Sequence, residues 1–188
     1  MNPVLSAIHN RRSVRPGAYT DTPVSRETLE RLIAAANAAP SHKRTYPWRF
    51  VVFESASAKT SLGNFLAEQQ QVRSEQPVPA PKLRITRERP GKAAAAIAVV
   101  MKPDLDKLPE WEEVSATAAA VQNLWLALGA EGLAGYWSSP GTIVKGAEQF
   151  LGLETGERCL GLFFLGYPAE GQPGEIDRPE VAEKVEWR

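Results

Sequence analysis

Residues Trp111 to Gly129 constrain the fold more than any other stretch of the chain. Trp111, Val114, Ala118, Val121, Trp125 and Leu128 recur at spacings that alternate between three and four residues, the period of one helical face. Ala116, Ala119, Ala120, Leu124 and Leu126 make much of the remaining surface apolar too. A helix apolar on several sides has to be surrounded by protein, so it either fills the centre of a monomer or gives part of its surface to a second subunit. The small side chains of Ala116, Ala119 and Ala120 would allow a partner helix to come close.

The other elements read outward from that helix. Ile97-Ala98-Val99-Val100-Met101 and the run from Arg158 to Leu165 have the continuous apolar character of buried strands, the second closed by a Gly166-Tyr167-Pro168 turn. Arg49-Phe50-Val51-Val52-Phe53 is a third strand, and Leu133 to Trp137 is a short apolar segment leading into Ser138-Ser139-Pro140-Gly141. Pro3 to Asn10 predicts a helix with proline in its first turn and Val4, Leu5 and Ile8 on one face. Ser25 is the N-cap of a second helix that carries Leu29, Leu32, Ile33 and Ala36 inward, has a Val24–Leu29 staple and ends near Asn37. Ser57 caps a third, with Leu62, Phe65 and Leu66 inward, and Val144 to Leu151 forms a short helix stopped by Gly152. Gln69 to Lys92 is polar, basic and rich in proline, which predicts an exposed loop or a mobile helical lid. The polar tail from Ala169 to Arg188 is expected to wrap the surface or a partner. No internal repeat or linker divides the chain, so residues 1–188 read as one domain.

The chemistry concentrates in Arg11-Arg12-Ser13-Val14-Arg15. Guanidinium forks match the oxygens of a phosphate, and a short hydroxyl can fill remaining acceptor positions. An extended segment would put Arg11, Ser13 and Arg15 on one side and Arg12 and Val14 on the other. Two other readings stand beside this phosphate clamp: a solvated basic cluster after a helix, or a phosphorylation site for a basophilic kinase. A second stretch, Ala39-Pro40-Ser41-His42-Lys43-Arg44-Thr45-Tyr46-Pro47-Trp48, places a histidine and basic residues on a proline-stiffened loop ahead of a strand, a good platform for ligand contacts. Taken alone, His42 reads as a surface residue and Trp48 as core.

Composition closes several routes. The 22 basic and 22 acidic residues balance, so the global charge draws the chain neither to nucleic acid nor to an anionic membrane, and any anion must be held locally. Two well-separated histidines and one cysteine, Cys159, offer no metal-ligand spacing and no intramolecular disulfide; Cys159 beside an apolar run reads as a buried inert thiol. No Gly-x-Ser-x-Gly elbow occurs, and Gly129, Gly132 and Gly135 follow a helix rather than a strand, which rules out a dinucleotide loop. The start lacks the character of a signal peptide and no apolar run reaches spanning length, so a cytoplasmic protein is expected.

Four landmarks then occur in a fixed order: Arg-Arg-Ser-x-Arg after the first helix, Ala-Pro-Ser-His-Lys leading to Pro-Trp and a strand, Gly-Tyr-Trp-Ser-Ser after the long helix, and Leu-Gly-Tyr-Pro closing the last strand. In this order they resemble the FMN-dependent nitroreductase family, especially its small single-domain branch, over nearly the whole chain. The resemblance implies an α+β three-layer sandwich, with a mostly antiparallel sheet flanked by helices, that forms an intertwined homodimer with FMN at the subunit interface. It implies that Arg11, Ser13 and Arg15 bind the FMN phosphate, that Arg12 lies near the flavin, that His42 reaches the FMN of the other subunit, and that Trp137, Ser138 and Ser139 run along the other side of the cofactor. The implied reaction is a ping-pong cycle in which NAD(P)H reduces the flavin and the flavin reduces a nitroaromatic, quinone or similar acceptor. Protons can come from water, so no side chain is assigned a catalytic role. Two positions depart from the pattern. Tyr46 stands where many relatives carry an amide, and the C-terminal basic residue that some relatives add to the phosphate site has two candidates, Arg178 and Arg188. Flavin cleavage or reductive dehalogenation by the same cofactor, and a non-enzymatic nucleotide- or RNA-binding module, remain as alternatives.

Overall fold

A computed structural model describes residues 2–171 and 178–188. Four strands, β1 (Trp48–Phe53), β2 (Ala95–Met101), β3 (Ala134–Ser138) and β4 (Arg158–Gly166), form an antiparallel sheet in the order β1-β2-β4-β3. Every residue of the central strand β2 is buried, which is why its sequence is continuously apolar instead of alternating.

Side-chain alternation splits the core into two layers. On one face Ala95, Ile97, Val99, Phe163 and Leu165 meet helices α2 (Arg26–Asn37) and α5 (Glu110–Leu128). On the other, Ala96, Ala98, Val100, Leu162 and Phe164 meet α3 (Ala56–Val72), α6 (Gly141–Val144) and α7 (Glu148–Leu151). Helices, sheet and helices make the three-layer α+β sandwich that the resemblance implied. Helix α1 (Pro3–Asn10) buries none of its residues, and Val4, Leu5 and Ile8 all stand exposed.

Several local expectations are corrected. The apolar stripe read along α5 is two stripes: Val121 and Leu128 enter the core, whereas Trp111, 67% exposed, and Val114 face outward. The core stripe proper begins with Glu113 and Thr117, polar residues whose groups find local partners that apolar periodicity cannot register. Ser55, not Ser57, caps α3 by accepting from Ala58 N, and Ser57 lies inside the first turn. The stretch from Gln69 to Lys92 is largely helical. Its first residues extend α3, and Ala80–Glu88 forms α4, started rather than broken by its prolines. Helix α4 lies so close to α3 that a Cβ on Gly63 would stand 2.0 Å from the Arg87 carbonyl oxygen. The helix expected over Val144 to Leu151 is split around Gly146, whose φ of +98° interrupts it. The Gly166-Tyr167-Pro168 segment does not turn: Pro168 bridges Tyr19, carrying the strand on to the segment after α1. Of the tail, residues 172–177 lie outside the described residues, and residues 178–188 are exposed, with Val181 and Trp187 among them. Among the described residues no helix is long and apolar enough to cross a membrane.

Candidate functional site

After α1 the chain extends and is pinned from several sides. Ser13 forms a parallel bridge with Gly135 of β3, and Val14 N donates to Gly135 O at 3.0 Å. The Tyr19 hydroxyl donates to Val14 O at 2.5 Å, and its ring sits on Gly166, where a Cβ would come within 2.8 Å of it. Burial pushes the Tyr19 phenol up, so it remains a donor throughout the physiological range. Trp125 Nε1 of α5 donates to Arg12 O at 3.3 Å. Val14 is therefore buried while Ser13 and Arg15 are left exposed on the opposite side.

Arg11 and Arg12 do not take opposite sides as a simple alternation predicts, because Arg11 is the C-cap of α1 rather than a strand residue. Both border one cavity of about 230 Å³, with Asn10, Trp125 and Leu128. The Arg11 guanidinium lies 4.4 Å from the centre of the Trp125 ring, and its Nη1 is buried with no hydrogen-bond partner. Burial first, then Arg178, then Arg12, lower the pKa of Arg11. Arg178 thus stands within electrostatic range of the cluster, whereas Arg188 pairs with Glu186 at 3.0 Å. Arg12 donates to the carbonyls of His9 and Arg11 at 2.8 and 3.1 Å, and Arg15 lies 5.8 Å over the Tyr136 ring. Among the described residues no carboxylate pairs with Arg11, Arg12, Arg15 or Arg178. Unneutralised guanidinium groups with an unpartnered buried N–H have the chemistry of a site for an anion bearing several oxygens.

Strand β3 ties a second set of residues to this segment. Trp137 packs on the α5 side of the core, and its buried Nε1 is also without a partner; Gly161, at φ +143°, leaves it room, since a Cβ there would stand 3.0 Å from that nitrogen. Ser138 ends the strand half-buried and Ser139 follows, exposed.

His42 lies elsewhere. It borders a cavity of about 480 Å³ with Pro40, Trp111, Glu112, Ala116 and Ala119, at the first half of α5. Glu112 and Trp125 are thirteen residues apart on one helix, about 20 Å at the helical rise. Within one chain, then, the structure does not bring His42 to the Arg11–Arg15 segment. The loop that carries His42 is strained: Lys43, Arg44 and Tyr46 have φ of 51°, 55° and 46°, each costing about 1–2 kcal/mol for a residue with a Cβ. His42 Nδ1 is 2.5 Å from Glu112 Oε2, Lys43 Nζ donates to Lys107 O at 2.8 Å, and Tyr46 N donates to Ser41 Oγ at 2.9 Å. Sequence reading passed over Tyr19, Trp125 and Glu113, the residues that brace these two segments. An acidic residue on the inner face of an apolar helix was the one available signal.

The nitroreductase family model matches residues 8–167. The chain belongs to the nitroreductase family. Among its relatives is "Putative NAD(P)H nitroreductase YfhC" of Bacillus subtilis, 29% identical over 183 residues, which are 96% of this chain and 89% of that protein. The nitroreductase-like family protein of Bacillus cereus matches the fold with a TM-score of 0.85 at 28% identity, covering 98% of this chain and 95% of that one. The "putative nitroreductase" of Desulfovibrio desulfuricans, solved in complex with FMN, has a TM-score of 0.75 at 29% identity over 100% of this chain and 98% of its own.

Proposed function

We propose that this nitroreductase-family protein is a cytoplasmic, FMN-dependent oxidoreductase that takes reducing equivalents from NAD(P)H and delivers them to nitroaromatic, quinone or similar acceptors, working as a homodimer. The observation that carries the reading is the buried, unpartnered Arg11 Nη1 inside a cluster of unneutralised arginines. It fits the phosphate of FMN, the cofactor present in the Desulfovibrio desulfuricans relative.

Arg11, Ser13 and Arg15 hold that phosphate, with Arg178 as the added C-terminal cation. Arg12 lies beside the flavin, where its charge favours negative charge developing on the cofactor. Trp137, Ser138 and Ser139 line the opposite side. Bound FMN supplies the redox chemistry; the chain's residues bind and orient it, and none needs to act as a catalytic acid or base.

The homodimer rests on two features. His42 and the arginine cluster stand too far apart in one chain to touch one cofactor, yet a second copy could bring its own His42 to it. Val4, Leu5 and Ile8 of α1, and Trp111 and Val114 of α5, are apolar side chains left exposed, a pattern that fits coverage by a partner.

An anaerobic stopped-flow mix of the FMN-loaded protein with NADH and with NADPH tests the reading. Bleaching of the oxidised flavin band by either, with recovery on adding a nitroaromatic or quinone, is expected. Bound FMN that neither nucleotide bleaches would move the protein to another FMN reaction of the family, and failure to bind FMN would remove the reading altogether.

A further inference from the structure

The strained 41–47 loop is clasped by a carboxylate that the chain buries completely. Glu113 is 0% exposed, and its Oε2 accepts from Thr45 Oγ1 at 2.7 Å while its Oε1 accepts from Asp104 N at 3.0 Å. A carboxylate withdrawn from water is costly unless donors face it, and here one donor meets each oxygen. Its position in the first turn of α5, where the helix dipole favours negative charge, lowers that cost. The later residues of the same face, Ala120, Val121, Leu124 and Leu128, are apolar. Packing alone would have been served by another such residue at 113. Consecutive helix residues point about 100° apart, so Glu113 holds Thr45 from inside while Glu112 holds His42 from outside. The two acidic residues grip one loop whose backbone, at Lys43, Arg44 and Tyr46, would otherwise relax out of the left-handed region.

We propose that Glu113, acting through Thr45, is a positioning residue that keeps the 41–47 loop in its left-handed conformation and so sets His42 for contact with the flavin of a second subunit. The proposal rests on the FMN reading above. A residue that merely stapled the loop would alter stability and leave the flavin unaffected.

Thr45→Val replaces the donating hydroxyl with a methyl of the same shape, and Thr45→Ser restores the hydroxyl. Glu113→Gln, which keeps one acceptor oxygen in place, carries the same comparison should the valine variant not fold. Two readouts are needed: tryptic cleavage after Lys43 and Arg44 in the full-length protein, and FMN affinity with the bound-flavin absorption spectrum. Thr45→Val is expected to be cut about tenfold faster, to bind FMN about tenfold more weakly, and to shift the flavin band toward that of free FMN, with Thr45→Ser close to wild type in all three. Cleavage at the wild-type rate overturns the clasp. Faster cleavage with unchanged FMN affinity and spectrum overturns the link to the flavin. Wild-type protein that binds no FMN overturns the functional reading and this proposal with it, and is told apart because the protease comparison needs no flavin.

Discussion

The guanidinium of Arg11 rests 4.4 Å from the centre of the Trp125 ring, and the same indole donates its N–H to the carbonyl of Arg12 at 3.3 Å. One side chain of α5 therefore places both the charge and the backbone of the basic segment. Arg11→Ala removes a charge-assisted contact to phosphate and should weaken FMN binding by roughly 1–3 kcal/mol. Trp125→Leu keeps the charge but loses the stacking surface and the N–H, and should cost about 1–2 kcal/mol through Arg11 alone. FMN fluorescence titration reads both, and unchanged affinity in Arg11→Ala and Ser13→Ala together would remove the clamp.

Gly135 is where the clamp is fastened to the sheet. A Cβ there would stand 2.6 Å from Leu128 Cδ1 and 2.6 Å from Phe163 Cζ, both in the core, while Gly135 O accepts from Val14 N. Gly135→Ala should destabilise the fold by about 1–3 kcal/mol through overpacking, and should loosen FMN as the strand shifts under Val14. Urea denaturation and FMN titration on one sample separate the two effects. A variant with wild-type stability would mean that Leu128 and Phe163 move aside freely.

The layers were legible because they follow from periodicity. The apolar runs of β2 and β4, the cap at Ser25 and the ordered landmarks each carry their meaning within a few residues. What stayed hidden depends on partners distant in sequence. Glu113 looks like an ordinary first-turn acid until Thr45 and Asp104 are brought to it. Arg11 looks like one of several surface arginines until Trp125 closes over it. Arg178 and Arg188 could not be told apart by spacing, since only the fold brings one of them near Arg11. The split of α5 into an inner and an outer stripe was hidden because its polar core positions, Glu113 and Thr117, break the apolar pattern where the burial is deepest.

If each site combines Arg11 of one copy with His42 of the other, two inactive variants should rescue one another. In a mixed dimer of Arg11→Ala and His42→Ala subunits, one site carries both lesions and the other carries neither. Random pairing makes half of the dimers mixed, so about a quarter of wild-type sites should return on unfolding and refolding the two variants together. Activity no higher than the average of the separate variants would place His42 and Arg11 in the same chain's site, or His42 in none.

Cys159 gives the fold a defined alkaline weakness. Its side chain is 1% exposed, its Sγ donates to Gly161 O at 3.5 Å, and burial raises its pKa from 9.0 to about 11. Between those two values the unfolded chain releases a proton that the folded chain keeps, so the unfolded state binds fewer protons and stability must fall as pH rises. The contribution is fully present below pH 9.0 and is lost on passing about 11; for one thiol the whole change is roughly 2–3 kcal/mol. Tyr19, also raised by burial, adds a further loss at still higher pH. Urea midpoints of wild type and Cys159→Ala at pH 8 and pH 10.5, about the two ends of that window, isolate the thiol. The alanine variant starts lower because it leaves a small cavity, yet it should fall less between the two pH values. Equal falls in both proteins would mean that the thiol ionises as readily in the folded state as in the unfolded one, and that Cys159 is not sealed between β2 and the helices behind it.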